Sequence, residues 1–385
     1  MRESVRDNHP LTPKNCRLLV AGFATRHVAA SACRAGYTVY AVDSFCDKDL
    51  YAYVKDARMF ATCDELQDLI ALSCREWDID AILVTSGAET ITVPDVLVIG
   101  TSAKNASRFC DKRQMQQFFE KNGIPTPKEI NPENLDETST GTWILKPCRG
   151  AGGWRNRRIS SRQDIDNWTQ EFQEPCIVQE IVTGIPASVC CVTTGKKAQA
   201  LAVNGQIMRD DPVLEFGFAG SYTPFIHPCT EQMATLAEKI ALASGCIGVV
   251  GIDFIVGESQ VWAIEINPRF QATLETVERA TGLNLVQTHI DAWSDIIPSA
   301  RPTSHQVCIR KILFADRELT WPEHAKTEKL RDPGEDLTRF SDIPHPGTVF
   351  EPGHAMISVY GLGADLKVAM SDLHTSITTV LQYIQ

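Results

Sequence analysis

The chain lacks the sequence features of several protein classes. Its longest apolar runs are interrupted by glycine or aspartate within about ten residues, about half the length that a membrane-spanning helix needs. The segment from Met1 to Pro10 is polar and has no secretory signal pattern, so we expect a cytoplasmic protein. Positive charge is also scarce, because 37 Lys and Arg face 48 Asp and Glu and leave a net charge of −11. We therefore expect no membrane and no nucleic-acid partner, since binding to a phosphate backbone needs clustered cations.

Cysteine is frequent, but its spacing does not predict a metal site. The 13 cysteines are scattered along the chain. They form no Cys-x-x-Cys pair and no Cys/His cluster of the kind that binds zinc. We expect reduced thiols that fill apolar positions.

With 385 residues and 43% hydrophobic content, the chain can bury two or three cores of ordinary size. Near the N-terminus, the apolar runs Arg17 to Ala21 and Tyr37 to Val42 flank a helical stretch that ends at Arg34. Two more strand patterns follow, Ala81 to Val84 and Val96 to Ile99. This alternation predicts a small parallel α/β domain over the first hundred or so residues.

A glycine and an acid in this region invite comparison with a dinucleotide-binding fingerprint. Gly22 follows the first strand, and Asp43 lies about 20 residues later, where an acid would hold a ribose. The turn after Gly22 lacks the second and third glycines of the fingerprint. We therefore favour a Rossmann-like scaffold whose strand ends line a substrate cleft over a site for NAD or FAD.

The pattern changes after the first hundred residues. A helix is predicted from Lys112 to Asn122, and from Trp143 to Asn267 short strands and turns dominate, which is typical of an α+β arrangement. The chain then ends with strand-like runs and one helix. We divide it into domains at residues 1–102, 103–295 and 296–385.

The first motif that indicates chemistry is a lysine followed by a glycine-rich turn. A strand containing Lys146 leads into the segment Arg149 to Gly153, in which three of five residues are glycine. The backbone N–H groups of such a turn can fold over a polyphosphate while the ammonium supplies charge. The Gly-Lys-Ser/Thr sequence of a Walker A loop is absent. A flexible hairpin without a ligand is the alternative interpretation.

The second motif consists of two acids in neighbouring apolar strands. Asp253 and Glu265 each interrupt an apolar run, and the two runs predict a β-hairpin. Carboxylates buried in a sheet are costly unless they are paired or bind a cation. Glu265 and Asn267 are two residues apart and so share a face of the strand. Two carboxylates and an amide oxygen suit Mg²⁺, and the alternative is a salt bridge to Arg269.

The order of these motifs resembles the ATP-grasp superfamily, which includes biotin carboxylase, carbamoyl-phosphate synthetase and D-alanine–D-alanine ligase. The resemblance extends from about Val98 to Trp293 and is most specific at Glu265 to Arg269 and at Ala280 to Leu285. It implies α/β and α+β structure: a Rossmann-like domain, a two-lobed ATP-grasp module and a small C-terminal β-rich subdomain. The nearest kin by resemblance are carboligase-like proteins of archaea and C1-metabolising bacteria.

The resemblance also implies roles for individual residues. The expected contacts to the phosphates of ATP come from two lysines and a glycine-rich loop: Lys112, Lys146, Gly150, Ala151, Gly152 and Gly153. The expected contacts to adenine come from the hinge between the lobes: Gln179, Glu180, Ile181 and Val182. The expected ligands of Mg²⁺, or of Mn²⁺ in its place, are Asp253, Glu265 and Asn267. The catalytic candidates are Lys146, Arg209 and Arg269.

Two segments are open to more than one interpretation. Many relatives carry an acid after the hinge glycine to bind the ribose, but here Gly184 is followed by Ile185 and Pro186, so the resemblance gives no ribose contact. The segment Arg209 to Tyr222 is expected either to border the γ-phosphate or to form a surface loop. Together with the strand-end segment Ser86 to Thr90, it is where we expect substrate specificity to arise.

The function implied by the resemblance is that of an ATP-dependent carboxylate–amine ligase that works through an acyl phosphate. Its partners would be a small-molecule carboxylate and an amine, with cofactor biosynthesis as the expected context and a homodimer as the oligomer to consider. Two alternatives stay open. One is a carboxylase that uses carboxyphosphate, and the other is a noncatalytic nucleotide-binding regulator.

Overall fold

The structure is a computed structural model of the chain. It describes residues 16–135, 142–150, 152–211, 214–323 and 338–384. The predicted site residue Ala151 lies outside the described residues. Within them, no helix is long and apolar enough to cross a membrane.

A parallel sheet forms the N-terminal part of the described chain. Its strands and helices are β1 (Arg17–Gly22), α1 (Arg26–Arg34), β2 (Thr38–Asp43), β3 (Ala57–Met59), α2 (Cys63–Glu76), β4 (Ala81–Val84) and β5 (Leu97–Val98). The strand order is β3-β2-β1-β4-β5, so the direction in which strands are added reverses between β1 and β4. Successive residues of β1, such as Leu18 and Leu19, face two different apolar cores. Both faces are therefore covered, as in other parallel sheets, and the predicted α/β fold is confirmed.

A small lobe (residues 129–180) follows two short helices. Its elements and those helices are α3 (Ala103–Ala106), α4 (Lys112–Lys121), β6 (Glu129–Ile130), β7 (Trp143–Pro147), β8 (Arg157–Ile159), α5 (Arg162–Phe172) and β9 (Cys176–Glu180). The strands pair antiparallel in the order β6-β9-β7-β8. Ser161 and Asp164 form a capping box that fixes the start of α5. This helix buries Trp168 against the sheet beside Leu145 and Val178.

A large lobe (residues 185–293) follows, and the C-terminal segment continues its sheet. The elements are β10 (Ile185–Thr193), β11 (Ala198–Met208), β12 (Phe218–Thr223), α6 (Thr230–Ser244), β13 (Gly248–Val256), β14 (Val261–Asn267), α7 (Leu274–Thr281), α8 (Leu285–Trp293), β15 (Val307–Phe314), β16 (Leu319–Thr320), β17 (Phe340–Ser341), β18 (Val349–Phe350), β19 (Ala355–Gly363) and α9 (Leu366–Ile384). The main sheet has the order β14-β13-β10-β11-β12-β15-β19-β17. Because β12 pairs with β15, hydrogen bonding runs across the predicted boundary at residue 296. The division into three domains stays a prediction.

The N-terminal domain packs on the large lobe through α1. One apolar core contains Val28 of α1, Val277 of α7 and Leu285 of α8 together with residues of β1 and β10. This shared core fixes the N-terminal sheet against the segment that leads from β14 into α7. The sequence pattern does not predict α7 or α8, and all eight residues of α7 are buried. Its charged residues Glu275, Glu278 and Arg279 are buried as well, so the local sequence pattern does not indicate that this helix lies inside the protein.

Candidate active site

A cavity of about 660 Å³ lies between the N-terminal domain, the small lobe and the large lobe. Its wall includes the predicted site residues Lys146, Gly152, Gly153, Glu180, Ile181, Val182, Asp253, Glu265, Asn267 and Arg269. A smaller cavity of about 60 Å³ shares part of this wall and adds Lys112, Gly150 and Gln179. The structure thus brings together nearly all the described residues that the sequence predicts for the site.

Two lysines meet at the boundary of these cavities. Lys146 on β7 is only 8% exposed, and its ammonium forms no hydrogen bond or ion pair with any described residue. Burial, together with the nearby Lys112, lowers the pKa of Lys146 to about 8, and the Glu265 carboxylate opposes only part of this shift. Lys112, the first residue of α4, donates from its Nζ to the carbonyl of Gly150 at 2.7 Å. A buried ammonium without an ion-pair partner is costly, so this corner of the cavity suits an anion.

The glycine-rich turn adopts backbone angles that other residues avoid. Gly150, Gly152 and Gly153 have φ values of 134°, 66° and 76°. A Cβ atom on Gly153 would lie 1.9 Å from the carbonyl oxygen of Phe216 in the large lobe. Phe218 also donates its backbone N–H to the carbonyl of Gly152 at 3.4 Å. The turn therefore crosses from the small lobe to the large lobe and covers this part of the cavity.

The carboxylates of Asp253 and Glu265 lie on paired positions of β13 and β14, and the strand register shifts directly after Asp253. Burial and the charge of Glu265 raise the pKa of Asp253 to about 7. Three amide groups donate to the Asp253 carboxylate: those of Gln206 at 3.0 Å, Gln271 at 2.9 Å and Asn267 at 3.1 Å. These donors offset part of the repulsion between the two acids. A cation beside them would offset the rest.

The donor set fits a divalent metal ion in part. No group of three or more His, Cys, Asp or Glu side chains in the described part of the chain is arranged to hold a metal, so the predicted set depends on the amide of Asn267. Asn267 directs its nitrogen to Asp253, which leaves its oxygen for another partner. Asp253 already accepts three hydrogen bonds, whereas the Glu265 carboxylate and the Asn267 amide oxygen accept none from the described residues and are freer to bind a metal ion. All are hard oxygen donors, as Mg²⁺ requires.

Arg269 follows β14 and pairs with the N-terminal domain rather than with Glu265. Its Nε donates to Glu89 at 2.7 Å, and its Nη1 donates to the carbonyl of Phe270 at 3.0 Å. Glu89 is held in turn by the N–H of Gly87 at 2.7 Å. The alternative interpretation of a Glu265–Arg269 salt bridge is therefore wrong, because Glu89 occupies the Nε side of the guanidinium.

The predicted hinge residues are partly engaged within the protein. Gln179 donates from its amide to Gln116 at 2.8 Å inside the small cavity wall. The backbone N–H of Glu180 donates to Lys128, and that of Ile181 donates to Thr142. Those two N–H groups are not available to a base, so a nucleobase at this hinge has to find its donors elsewhere.

Arg209 is the predicted catalytic residue that the structure separates from the others. Its guanidinium lies 4.0 Å from the centre of the Phe314 ring and donates to the carbonyl of Gly353 at 3.1 Å. It does not line either of the two cavities. Phe216 and Phe218, from the same segment, do line the larger one.

Asp43, the acid compared with the ribose-binding acid of the dinucleotide fingerprint, has a structural role. Its carboxylate accepts the N–H and hydroxyl of Thr25 at 2.5 and 2.7 Å. It also accepts the N–H groups of Phe45 and Cys46, each at 2.7 Å. Four hydrogen bonds fill the acceptor positions of a carboxylate, so Asp43 has none left for a ribose.

Sequence reasoning missed several cavity residues of the N-terminal domain and of the segment after Arg269. These are Phe23, Ala24, His27, Thr85, Gln271 and Thr273. Ser86, from the strand-end segment in which we expected specificity, does line the cavity. For Phe23, Ala24 and Thr85 the available signal was their position after predicted strands of a parallel sheet, since ligands bind at such strand ends.

Residues 109–273 match the model of a protein family described as the ATP-grasp domain. The chain contains an ATP-grasp domain. The resemblance to this superfamily that the motifs indicate is thereby confirmed. An uncharacterised protein of Methanocaldococcus jannaschii is 28% identical over 365 residues, which cover 90% of this chain and 88% of that protein.

Solved structures of ATP-grasp proteins share the fold. Biotin carboxylase from Campylobacter jejuni aligns with a TM-score of 0.73 and 14% identity over 94% of this chain and 90% of that one. The biotin carboxylase domain of 2-oxoglutarate carboxylase from Hydrogenobacter thermophilus was solved as a dimer with MgADP and bicarbonate. It aligns with a TM-score of 0.73 and 15% identity over 94% of this chain and 89% of that one. L-amino acid ligase from Bacillus licheniformis aligns with a TM-score of 0.69 and 14% identity over 95% of this chain and 98% of that one. At these identities the likeness shows the fold alone.

Proposed function

We propose that this protein is an ATP-dependent carboxylate–amine ligase that forms an acyl phosphate and acts on small molecules. The observation that carries the proposal is the distribution of charge in one cavity. The lysines Lys112 and Lys146, the acids Asp253 and Glu265, and Arg269 all line the two adjoining cavities. Cations for a polyphosphate, oxygen ligands for a metal ion and a further cation are the parts that phosphoryl transfer to a carboxylate requires.

The proposed reaction has two steps. A carboxylate oxygen of the substrate attacks the γ-phosphorus of ATP, the bond from this phosphorus to the β,γ-bridging oxygen breaks, and ADP leaves. The amine nitrogen then attacks the acyl carbon, the bond from that carbon to the phosphate oxygen breaks, inorganic phosphate leaves, and the nitrogen loses a proton. No side-chain nucleophile is needed, because positioning and charge neutralisation lower the barrier to phosphoryl transfer.

Each group in the cavity has a defined part in this proposal. Lys146, buried without an ion-pair partner among the described residues, binds the polyphosphate, and Lys112 binds it from the start of α4. Glu265 and Asn267 would hold Mg²⁺, which neutralises phosphate charge when it is bound. The Nη side of Arg269 meets the reacting carboxylate and the γ-phosphate, because Glu89 holds the guanidinium from its Nε side. The glycine-rich turn excludes water from the acyl phosphate, since it already reaches the large lobe at Phe216.

The test is a turnover assay in which hydroxylamine replaces the amine. Purified protein is mixed with ATP, Mg²⁺ and a panel of carboxylates, and ADP, inorganic phosphate and hydroxamate are measured. The proposal predicts that ADP and hydroxamate form in equal amounts and only when a carboxylate is present. Reactions without carboxylate provide the control.

Three other results would contradict the proposal. Release of AMP and pyrophosphate would indicate adenylation instead of an acyl phosphate. ADP release that responds to bicarbonate and to no organic acid would favour the carboxylase alternative. Nucleotide binding without turnover across the whole panel would favour a regulator.

A further inference from the structure

The N-terminal sheet opens into the cavity at the point where its strand order reverses. β2 and β3 lie on one side of β1, and β4 and β5 lie on its other side. The loops that leave these two neighbouring strands carry Phe23 and Ala24 after β1, and Thr85 and Ser86 after β4, and all four residues line the cavity. In open α/β sheets, ligands bind in the crevice beyond the carboxyl ends of the strands at such a reversal. The crevice is therefore a binding site by topology as well as by shape.

The residues of this crevice come from the N-terminal sheet, whereas the lysines and the hinge belong to α4, the small lobe and the segment after it. The cavity wall also includes the segment from Arg269 to Thr273, whose Phe270 belongs to the core shared with α1, α7 and α8. Glu89, three residues beyond Ser86, ties Arg269 to the mouth of the crevice. A ligand in the crevice thus has one end at Arg269, where the proposed phosphoryl transfer takes place.

The wall of the crevice carries no net charge beyond its mouth. All six charged side chains in the described cavity wall come from the ATP-grasp lobes: Lys146, Glu180, Glu215, Asp253, Glu265 and Arg269. The N-terminal domain contributes only aromatic, small, hydroxyl and imidazole side chains. Burial and the nearby Arg26 lower the pKa of His27 to about 4, so its imidazole is neutral at physiological pH. The charge of Arg269 is balanced by Glu89.

The same wall has an apolar surface and polar groups that lack partners. The Phe23 side chain lies over Gly87, where a Cβ atom would come within 2.5 Å of the ring, and Phe23 is 37% exposed. His27 Nε2, Gln271 Oε1 and Thr273 Oγ1 are buried and have no hydrogen-bond partner in the described part of the chain. Unpaired buried polar atoms are rare in proteins. All three belong to neutral side chains of the cavity wall, so a ligand group that reaches them would be a hydroxyl, amide or carbonyl rather than an ion.

We propose that this crevice binds the body of the carboxylate substrate, and that the substrate is a monocarboxylate whose body is uncharged and has an apolar face. The inference rests on the proposed function, since it assigns the carboxylate end to Arg269. An ammonium group or a second carboxylate in the crevice would lose its hydration and find no opposite charge there. α-Amino acids and dicarboxylates are therefore disfavoured as acyl donors.

The experiment compares three acids that share one body and differ only in charge. The probes are 3-phenylpropionate, L-phenylalanine, which adds an α-ammonium group, and benzylmalonate, which adds a second carboxylate. Equivalent trios on aliphatic and hydroxylated bodies complete the panel. Hydroxamate formation with ATP, Mg²⁺ and hydroxylamine gives kcat/KM for each acid. We expect the uncharged member of every active trio to exceed the charged members by about tenfold or more.

A matched pair of variants tests the location of the site. Ser86→Asp places a carboxylate in the N-terminal wall, and Ser86→Asn places an uncharged side chain of the same size there. We expect Asp to raise kcat/KM for the ammonium member relative to the uncharged member by about tenfold, and Asn to leave this ratio near the wild-type value. Thermal shift with MgADP shows whether each variant is folded. If Ser86→Asp is not folded, the wild-type trios decide.

The results separate this inference from the function on which it rests. If charged members are the better substrates, or if Asp and Asn change the ratio equally, the inference is overturned while the ligase proposal stands. If no acid in the panel yields hydroxamate, the ligase proposal is overturned and the inference with it. Preference for uncharged acids, with a shift caused by Asp alone, supports both.

Discussion

Replacing Lys146 by methionine should stabilise the protein and weaken its binding of nucleotide at the same time. Lys146 is buried on β7 without a partner among the described residues, and its pKa falls from an ordinary value of 10.5 to about 8. A fall of about 2.5 at ~1.36 kcal/mol per pH unit corresponds to a cost of ~3 kcal/mol in the nucleotide-free protein at neutral pH. Methionine has a similar length and no charge, so the variant avoids most of this cost.

The pH dependence of this effect has a definite sign. Below about pH 8 the ammonium is charged in both the folded and the unfolded protein, so the wild type bears the full cost. Between pH 8 and 10.5 the folded protein loses the proton while the unfolded chain keeps it, and the wild type gains stability relative to the variant. The difference in free energy of unfolding between Lys146→Met and wild type should therefore be constant from pH 6 to 7.5 and shrink as the pH rises above 8.

Nucleotide binding should change in the opposite direction. A lost contact between an ammonium and a phosphate costs about 1–3 kcal/mol, which is roughly a fivefold to hundredfold weaker affinity for ATP by isothermal titration. Lys112→Met is the matched control, because the Lys112 ammonium already donates to the carbonyl of Gly150. It should weaken ATP binding without raising stability. The reasoning is refuted if Lys146→Met unfolds more readily than wild type at pH 7 without nucleotide, or binds ATP equally well.

Three further predictions test other parts of the site. Glu265→Gln should weaken stabilisation by Mg²⁺ yet leave the metal-free protein at pH 7.5 at least as stable as wild type in thermal melts. Burial and the charge of Glu265 raise the pKa of Asp253 to about 7, so the folded protein loses stability as the pH rises from about 4 to 7, and the variant removes the contribution of Glu265 to this loss. A clear loss of stability without metal would instead indicate a structural role for Glu265. Gly153→Ala should lower kcat more than it changes ATP affinity, because the new Cβ would lie 1.9 Å from the Phe216 carbonyl oxygen and prevent the turn from covering the site. An unchanged kcat would mean that this contact has no part in turnover. With an ¹⁸O-labelled carboxylate substrate, one labelled oxygen should appear in inorganic phosphate. Arg269→Ala should slow this transfer in single-turnover measurements rather than only raise KM. Label in AMP would contradict the acyl phosphate.

The parts of the site that sequence could predict are those fixed by local pattern. Alternation along β14 places Glu265 and Asn267 on a common face, and the pairing of the β13–β14 hairpin sets Asp253 opposite Glu265. The lysine and glycines around β7 form a strand and a turn in a single stretch of chain. In both cases the geometry depends on residues within about 15 positions of one another along the sequence, a distance over which periodicity is informative.

The parts that sequence could not predict depend on contacts between distant segments. Glu275 and Glu278 make α7 resemble the charged face of a surface helix, yet both are buried. Their partners, Arg26 and Arg34, lie on α1 about 250 residues earlier in the chain. Arg269 likewise finds Glu89 in the N-terminal domain. Local periodicity contains no information about such pairs, so the burial of α7 and the partner of Arg269 are visible only in the structure.

These buried ion pairs have a geometric consequence for the site. Arg26 donates to Glu275 at 3.0 Å and to Asp342 of the C-terminal segment at 2.8 Å, so a single side chain joins three parts of the chain. Buried pairs of this kind contribute little net stability, because the desolvation of both charges offsets their attraction, whereas removal of one partner is costly. Glu275 lies six residues after Arg269 and at the start of α7, directly beyond the segment that faces the crevice. The position of α1 therefore determines where Arg269 lies relative to Glu89 and to the strand ends of the N-terminal sheet. A substrate that binds in the crevice and reacts at Arg269 depends on this link, since it adds to the shared apolar core in holding the two ends of the binding site together.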